Sequence, residues 1–195
     1  MAVEEVYQDN IEVTCIEDQR TIMLTGEIDE AKAQQFIAHL LMLAKQNPLE
    51  PITIFISTYG GDVHEMNAIY AAMRFIKCPI HTIGIGKVMS AGVLILASGD
   101  KRSLAENTVV MMHQVNAELY GTVSDLSNEV RISKAMQDNM YKLYSKHTGM
   151  SVKQLEVDLK SDKYLTAQEA VEYGVADEIL NHYPAATKIK KRRRK

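Results

Sequence analysis

Apolar positions along the chain fall into two alternating rhythms. Short runs at 21–25 (TIMLT), 52–56 (ITIFI), 80–85 (IHTIGI) and 109–112 (VVMM) predict strands, with Gly26 ending the first. The run at 52–56 is so continuously apolar and β-branched that both of its faces must be covered, as in a parallel sheet, and 80–85 reads as a further buried strand. Between strands, Ala33, Phe36, Ile37, Leu40, Leu41 and Ala44 recur at helical spacing up to Pro48. Met66, Ile69, Tyr70 and Met73 do the same up to Pro79, and AGVLILASG forms an apolar helix after Ser90. Residues 122–146 predict a long polar helix with apolar Val123, Leu126, Val130, Met136, Met140 and Leu143, stopped at Gly149. A short helix near 166–173 and a strand near 175–180 complete the order. Strands alternating with helices imply an α/β layer fold. With no internal repeat and no linker, 195 residues make one domain, taken as 1–182. The long helix, charged on one side, is expected to project or to pack against a neighbour.

Composition leaves that picture intact. At 46% hydrophobic and 24% charged, with 10 Gly and 4 Pro, the chain is not collagen-like, mucin-like or wholly disordered. No run approaches the roughly 20 apolar residues of a membrane helix. No basic start followed by an apolar stretch marks a secretory signal. Cys15 and Cys78 form no framework, and a reducing, cytoplasmic compartment is the simplest expectation. Charge changes more. The net charge is −3, yet seven of the 22 basic residues lie in Lys188–Lys195, leaving 15 to set against 25 acidic ones. An acidic body disfavours nucleic-acid binding, which needs a cationic face. Residues 183–195 are expected to be a disordered basic tail, too polar to join a core.

Candidate chemistry narrows further. None of the six histidines pairs with another at helical ligand spacing, which argues against a zinc or calcium enzyme. Gly84-x-Gly86 lacks the third glycine of a dinucleotide fingerprint, and no phosphate-binding lysine motif is present. Four segments remain, each with an ordinary reading beside a functional one. Gly60-Gly61 follows a buried strand, as a plain turn or as a close-approach site with free N–H groups. Ser90, in Gly86–Gly92, is an N-cap or a nucleophile at a helix start, where free amides favour negative charge. His113 leaves an apolar strand, as an edge residue or as a base. Asp162 is a solvated loop acid or a carboxylate that orients the base. Together the four supply what acyl transfer requires.

These segments, over roughly residues 13–182, resemble the Clp serine peptidases, the ClpP family. The resemblance rests on Ile56–Gly61 with its diglycine, the Gly-x-x-x-Ser-x-Gly of Gly86–Gly92, and Met-x-His-Gln at Met111–Gln114. It continues in His147-Thr148-Gly149, Tyr164–Ala170 and Glu172-Tyr173-Gly174. Carried over residue by residue, it implies Ser90 as nucleophile, His113 as general base and acid, and Asp162 as orienting carboxylate. Gly61 and Ala91 would donate backbone N–H groups to the oxyanion. Asp158 competes for the acid role but lacks the Asp-x-(Tyr/Phe)-Leu context of Asp162. The resemblance further implies a crotonase-like α/β fold of layered sheets with surrounding helices, and a projecting handle helix at 122–146. It implies heptameric rings stacked in pairs into a chamber, an AAA+ Clp ATPase that feeds unfolded polypeptide, and no metal or cofactor.

Several positions depart from the family pattern. Tyr59 stands where the family has proline, and Val115-Asn116-Ala117-Glu118 replaces a glycine-rich strand. Ser161 replaces an arginine used between rings, and the N-terminal segment is short. Of the aromatic docking positions for the ATPase, Phe55 and Phe75 remain while Ser103 replaces a third. Competing readings are a silent ring subunit, an acyl-CoA hydratase or isomerase on the same fold, and a nucleic-acid binder acting through the tail. The intact Ser–His–Asp set favours the active peptidase.

Overall fold

The computed structural model describes residues 14–16 and 19–182; the tail assigned to 183–195 lies outside the described residues. The elements run β1 (Thr14–Ile16), β2 (Thr21–Ile28), α1 (Glu30–Gln46), β3 (Ile52–Gly61), α2 (Val63–Phe75), β4 (Ile80–Met89) and α3 (Ala91–Ala97). Then come β5 (Lys101–Ala105), β6 (Val109–Met112), α4 (Val123–Thr148), α5 (Val152–Asp158), β7 (Lys163–Leu165), α6 (Ala167–Glu172) and β8 (Glu178–Leu180). The fold class expected from the alternation is the one observed, a mixed α/β layer structure.

Hydrogen bonding orders the main sheet β1-β2-β3-β4-β5-β8, with β1 antiparallel and the remaining pairs parallel. Strand β4 changes partner halfway. His81–Gly84 pairs with β5, whereas Lys87–Met89 pairs with β6, so the sheet divides around Gly84–Gly86. The β6 branch continues antiparallel into β7. The site sits on the β6 branch.

Helix α3 is buried over its whole length, as expected of a helix apolar on every side. Ile22, Leu24, Ile54, Ile56, Val93, Leu94 and Ile95 are part of the same core. Caps set the helix starts: Asp29 accepts from the Lys32 N–H, and Asp62 from those of His64 and Glu65. Thr122 and Asp125 form a reciprocal capping box on α4, which ends at Gly149 with φ +78°.

Three strands run past the boundaries that patterning suggests, β4 among them, which continues from 85 to Met89. Gly26 does not end β2; the strand continues to Ile28 through a register shift between Thr25 and Glu27. Strand β3 carries on through the diglycine to Gly61. The final strand is shorter than expected, covering Glu178–Leu180. Strands β1, β5 and β7 and helix α5 have no forecast counterpart, being short or polar. No helix among the described residues is long and apolar enough to cross a membrane.

Two arginines satisfy carbonyls at helix ends and in the loops beyond them. Arg20 donates to the carbonyls of Leu43, Asn47, Glu50 and Pro51, fastening the end of α1 to the start of β3. Arg102 donates to His147 O at 2.7 Å and Gly174 O at 2.8 Å while its guanidinium pairs with Asp177. It thereby ties the ends of α4 and α6 to β5. The pairing with Arg102 holds the Asp177 carboxyl below its ordinary range.

His147, at the end of α4, meets the Tyr70 hydroxyl at 3.1 Å. Burial, and then the cations Lys146, Arg74 and Arg102, push its pKa down from 6.5 to about 4, with Asp100 opposing. Between those two values the unfolded chain binds a proton that the folded chain excludes, so this residue erodes stability as pH falls through the window. His147→Gln is expected to flatten the decline of the melting temperature from pH 7 to about 4.5. Parallel declines in the two proteins would contradict the assignment.

Candidate active site

Ser90 occupies the junction of β4 and α3 with φ +52° and ψ −122°, one of two non-glycine residues at positive φ among the described residues. For a residue with a Cβ, such a conformation costs on the order of 1–3 kcal/mol and persists only when its surroundings enforce it. Here they do. The Ser90 N–H donates to Met111 O at 2.8 Å, and Tyr144 Oη donates to Ser90 O at 3.4 Å. As an N-cap the serine is idle, for its side chain makes no bond to the helix amides. Its Oγ lies 2.6 Å from His113 Nε2. That separates the two readings of Ser90 in favour of a paired hydroxyl.

His113 follows directly after β6, which pairs in parallel with the second half of β4. The Met89↔Met111 pair in that register brings the residues beyond both strand ends into reach of each other. A cleft of about 90 Å³ opens over the pair, lined by Gly61, Ser90, Ala91, His113 and Asn116 with apolar Val63, Met66, Val115 and Met140. Ala91 is the first residue of α3, where N–H groups have no intrahelical partner. Four of the five residues singled out for the site therefore meet around one opening.

Gly60 makes the close approach possible. With φ +108°, it lies so near Ser90 that an added Cβ would stand 2.6 Å from Ser90 Cβ and 3.1 Å from Ala91 N. Buried Thr58 braces the strand beneath: its hydroxyl accepts from the Gly60 N–H at 2.9 Å and donates to Gly26 O. The β2 bulge and the diglycine are thus parts of one support.

Asp162 is the residue not brought into bonding contact. It is exposed, and its carboxylate forms no hydrogen bond or ion pair with a described residue. The antiparallel register ends at Val110↔Leu165, Met111↔Tyr164 and Met112↔Lys163, so His113 and Asp162 each lie one residue beyond its last pair. Asp158 is occupied elsewhere. It accepts from Tyr173 Oη and Gln154 Nε2, each at 2.6 Å, and these bonds, Tyr173 foremost, hold its carboxyl below the ordinary range.

Patterning overlooked three contributors: Thr58, Gln137 and Tyr144. Gln137 and Tyr144 lie two helical turns apart on α4, on the face that also carries buried Met140 and Tyr141. Their spacing was visible, but not which segments they would touch. Among the described residues, no cluster of three or more His, Cys, Asp or Glu side chains is placed to hold a metal ion. The sequence model of one family, described as Clp protease, matches residues 4–183.

Gly60→Ala is expected to destabilise the fold by about 1–3 kcal/mol and to pull Ser90 Oγ out of reach of His113. Gly149→Ala makes the matched control, since φ is +78° but nothing lies within 4 Å of its Cβ. Melting curves should show a loss in both proteins. Crystal structures should show a lengthened Ser90–His113 contact in Gly60→Ala alone.

Proposed function

The chain belongs to the Clp protease family, a family of peptidases, and from that premise we propose that it is a serine endopeptidase acting through Ser90, His113 and Asp162. The 2.6 Å contact between Ser90 Oγ and His113 Nε2, at a helix start beside Gly61 and Ala91, carries this reading. A neutral imidazole with its proton on Nδ1 leaves Nε2 free to accept from the hydroxyl. As Ser90 Oγ attacks a peptide carbonyl, its proton passes to His113, and the oxyanion takes the N–H groups of Gly61 and Ala91. His113 then protonates the departing amine, leaving an acyl group on Ser90 that an activated water removes. Asp162 belongs to this scheme as the partner of Nδ1, reached by a change of side-chain rotamer from its exposed position. No metal or cofactor enters any step.

The assembly follows the same reading. Val123 is 82% exposed and Val130 53%, on a helix otherwise rich in polar residues. Such positions gain by being covered, and an opposed copy of the same helix would do so isologously. Met140 does not belong to that outer face, since it is buried against the core and lines the cleft. We therefore assign ring pairing to the first half of α4, within heptameric rings that enclose the active sites. An AAA+ Clp ATPase delivering unfolded polypeptide in the cytoplasm completes the proposal.

A fluorophosphonate probe should label wild type at Ser90, and Ser90→Ala should abolish labelling and peptide hydrolysis with folding unchanged. Near-normal hydrolysis by that variant would refute the nucleophile. Asp162→Asn is expected to lower turnover by up to about 10⁴-fold, whereas Asp158→Asn should lower the melting temperature and spare turnover. The opposite pattern would make Asp158 the acid.

Val130→Glu places a charge on the outer face of α4. Sedimentation should show double rings giving way to single rings or smaller species. An unchanged distribution would place the ring contact elsewhere.

A further inference from the structure

We infer that Gln137 is a positioning residue for His113, holding the segment that carries the base. The inference rests on the peptidase reading and adds to it a residue for which the proposed chemistry has no direct use. After Met112 the chain leaves the sheet, and residues 113–120 belong to no helix or strand. A general base on such a segment needs another anchor, because backbone N–H groups without a ladder partner turn to whatever acceptor is near. Helix α4 supplies one. Gln137 Oε1 accepts from the Val115 N–H at 2.6 Å, two residues beyond His113. Met140, on the same side of α4, lines the cleft together with Gln114 and Val115. The same helix face ends at Tyr144, whose hydroxyl reaches Ser90 O. One helix therefore touches the segments of both reacting residues.

The other half of the Gln137 amide sharpens the point. Its Nε2 is buried and has no hydrogen-bond partner. A buried donor left unpaired is unfavourable, and methionine or leucine would fill the same space without that penalty. A side chain selected by packing alone would not be an amide here. The acceptor oxygen facing Val115 gives the amide its reason to be present.

Gln137→Met removes the acceptor at similar volume, and Gln137→Glu keeps an acceptor at the same reach. Both should be assayed in the full-length, assembled protein for kcat, KM, fluorophosphonate labelling rate at Ser90 and melting temperature. In Gln137→Met, kcat and the labelling rate should fall together by about 10- to 100-fold, the cost of a misplacement near 1 Å. KM and melting temperature should stay close to wild type, and Gln137→Glu should recover most of the lost rate. A Gln137→Met enzyme with wild-type kcat would overturn the assignment. So would a loss shared by both variants and matched by a lower melting temperature. Wild type that never labels at Ser90 would instead remove the peptidase reading itself, and this inference with it. Labelling of wild type and Gln137→Met at equal rates would remove only the role given to Gln137.

Discussion

The backbone of Ser90 governs how everything around it must be built. A serine at φ +52° has a strained conformation, and three neighbours combine to keep it there. Met111 O takes its N–H, Tyr144 Oη caps its carbonyl, and Gly60 leaves room for its Cβ. These neighbours come from the branch strand β6, the last turns of the longest helix, and the end of β3. A change in any of them reaches the hydroxyl, which explains why elements far apart in sequence converge on this point. The reward is an Oγ directed away from its own helix and toward His113.

The division of β4 is the architectural means to that end. Strand β3 lies along one side of β4 as far as Val88, so a histidine beside the end of β4 has to come from the other side. By exchanging β5 for β6 near Gly84–Gly86, β4 brings a new strand alongside its final residues. Thr108 secures the fork, its hydroxyl donating to Gly84 O at 3.1 Å. Glycine at 84 is required sterically, since an added Cβ would meet Leu104 at 2.6 Å and Val88 at 2.8 Å. The fork is therefore closely packed against the core.

Much of this is legible in the amino-acid sequence. The continuous apolar runs locate β3 and β4, and helical spacing locates α1, α2 and the length of α4, because burial of one face leaves a period. Ser90, His113 and the diglycine ending in Gly61 stand out from local sequence, Ala91 enters through the family resemblance, and all four line one cleft. Short polar elements escape. Strand β5 reads KRSLA, and its place in the sheet comes from ladder bonds that composition does not record. Gly26 suggests a stop where the strand only bulges, because a glycine signals a departure from regular geometry without saying which. Gln137 and Tyr144 are hidden for a different reason. Their importance lies in which backbone group each one faces, a property of tertiary approach with no period and no motif.

Helix α4 also carries a restriction on how its length can vary. Val123 and Val130 are exposed in its first half, and the same side of the helix, continued in seven-residue steps, brings Gln137 and Tyr144 against the body of the protein. Each residue added to an α-helix rotates the remaining turns by about 100°. A single-residue insertion between Val130 and Gln137 would swing Val123 and Val130 about 100° around the axis, out of line with Gln137 and Tyr144. Seven inserted residues would leave the phase off by only about 20°. A helix changed in length by whole heptads would keep that alignment, whereas a change of one or two residues would break it.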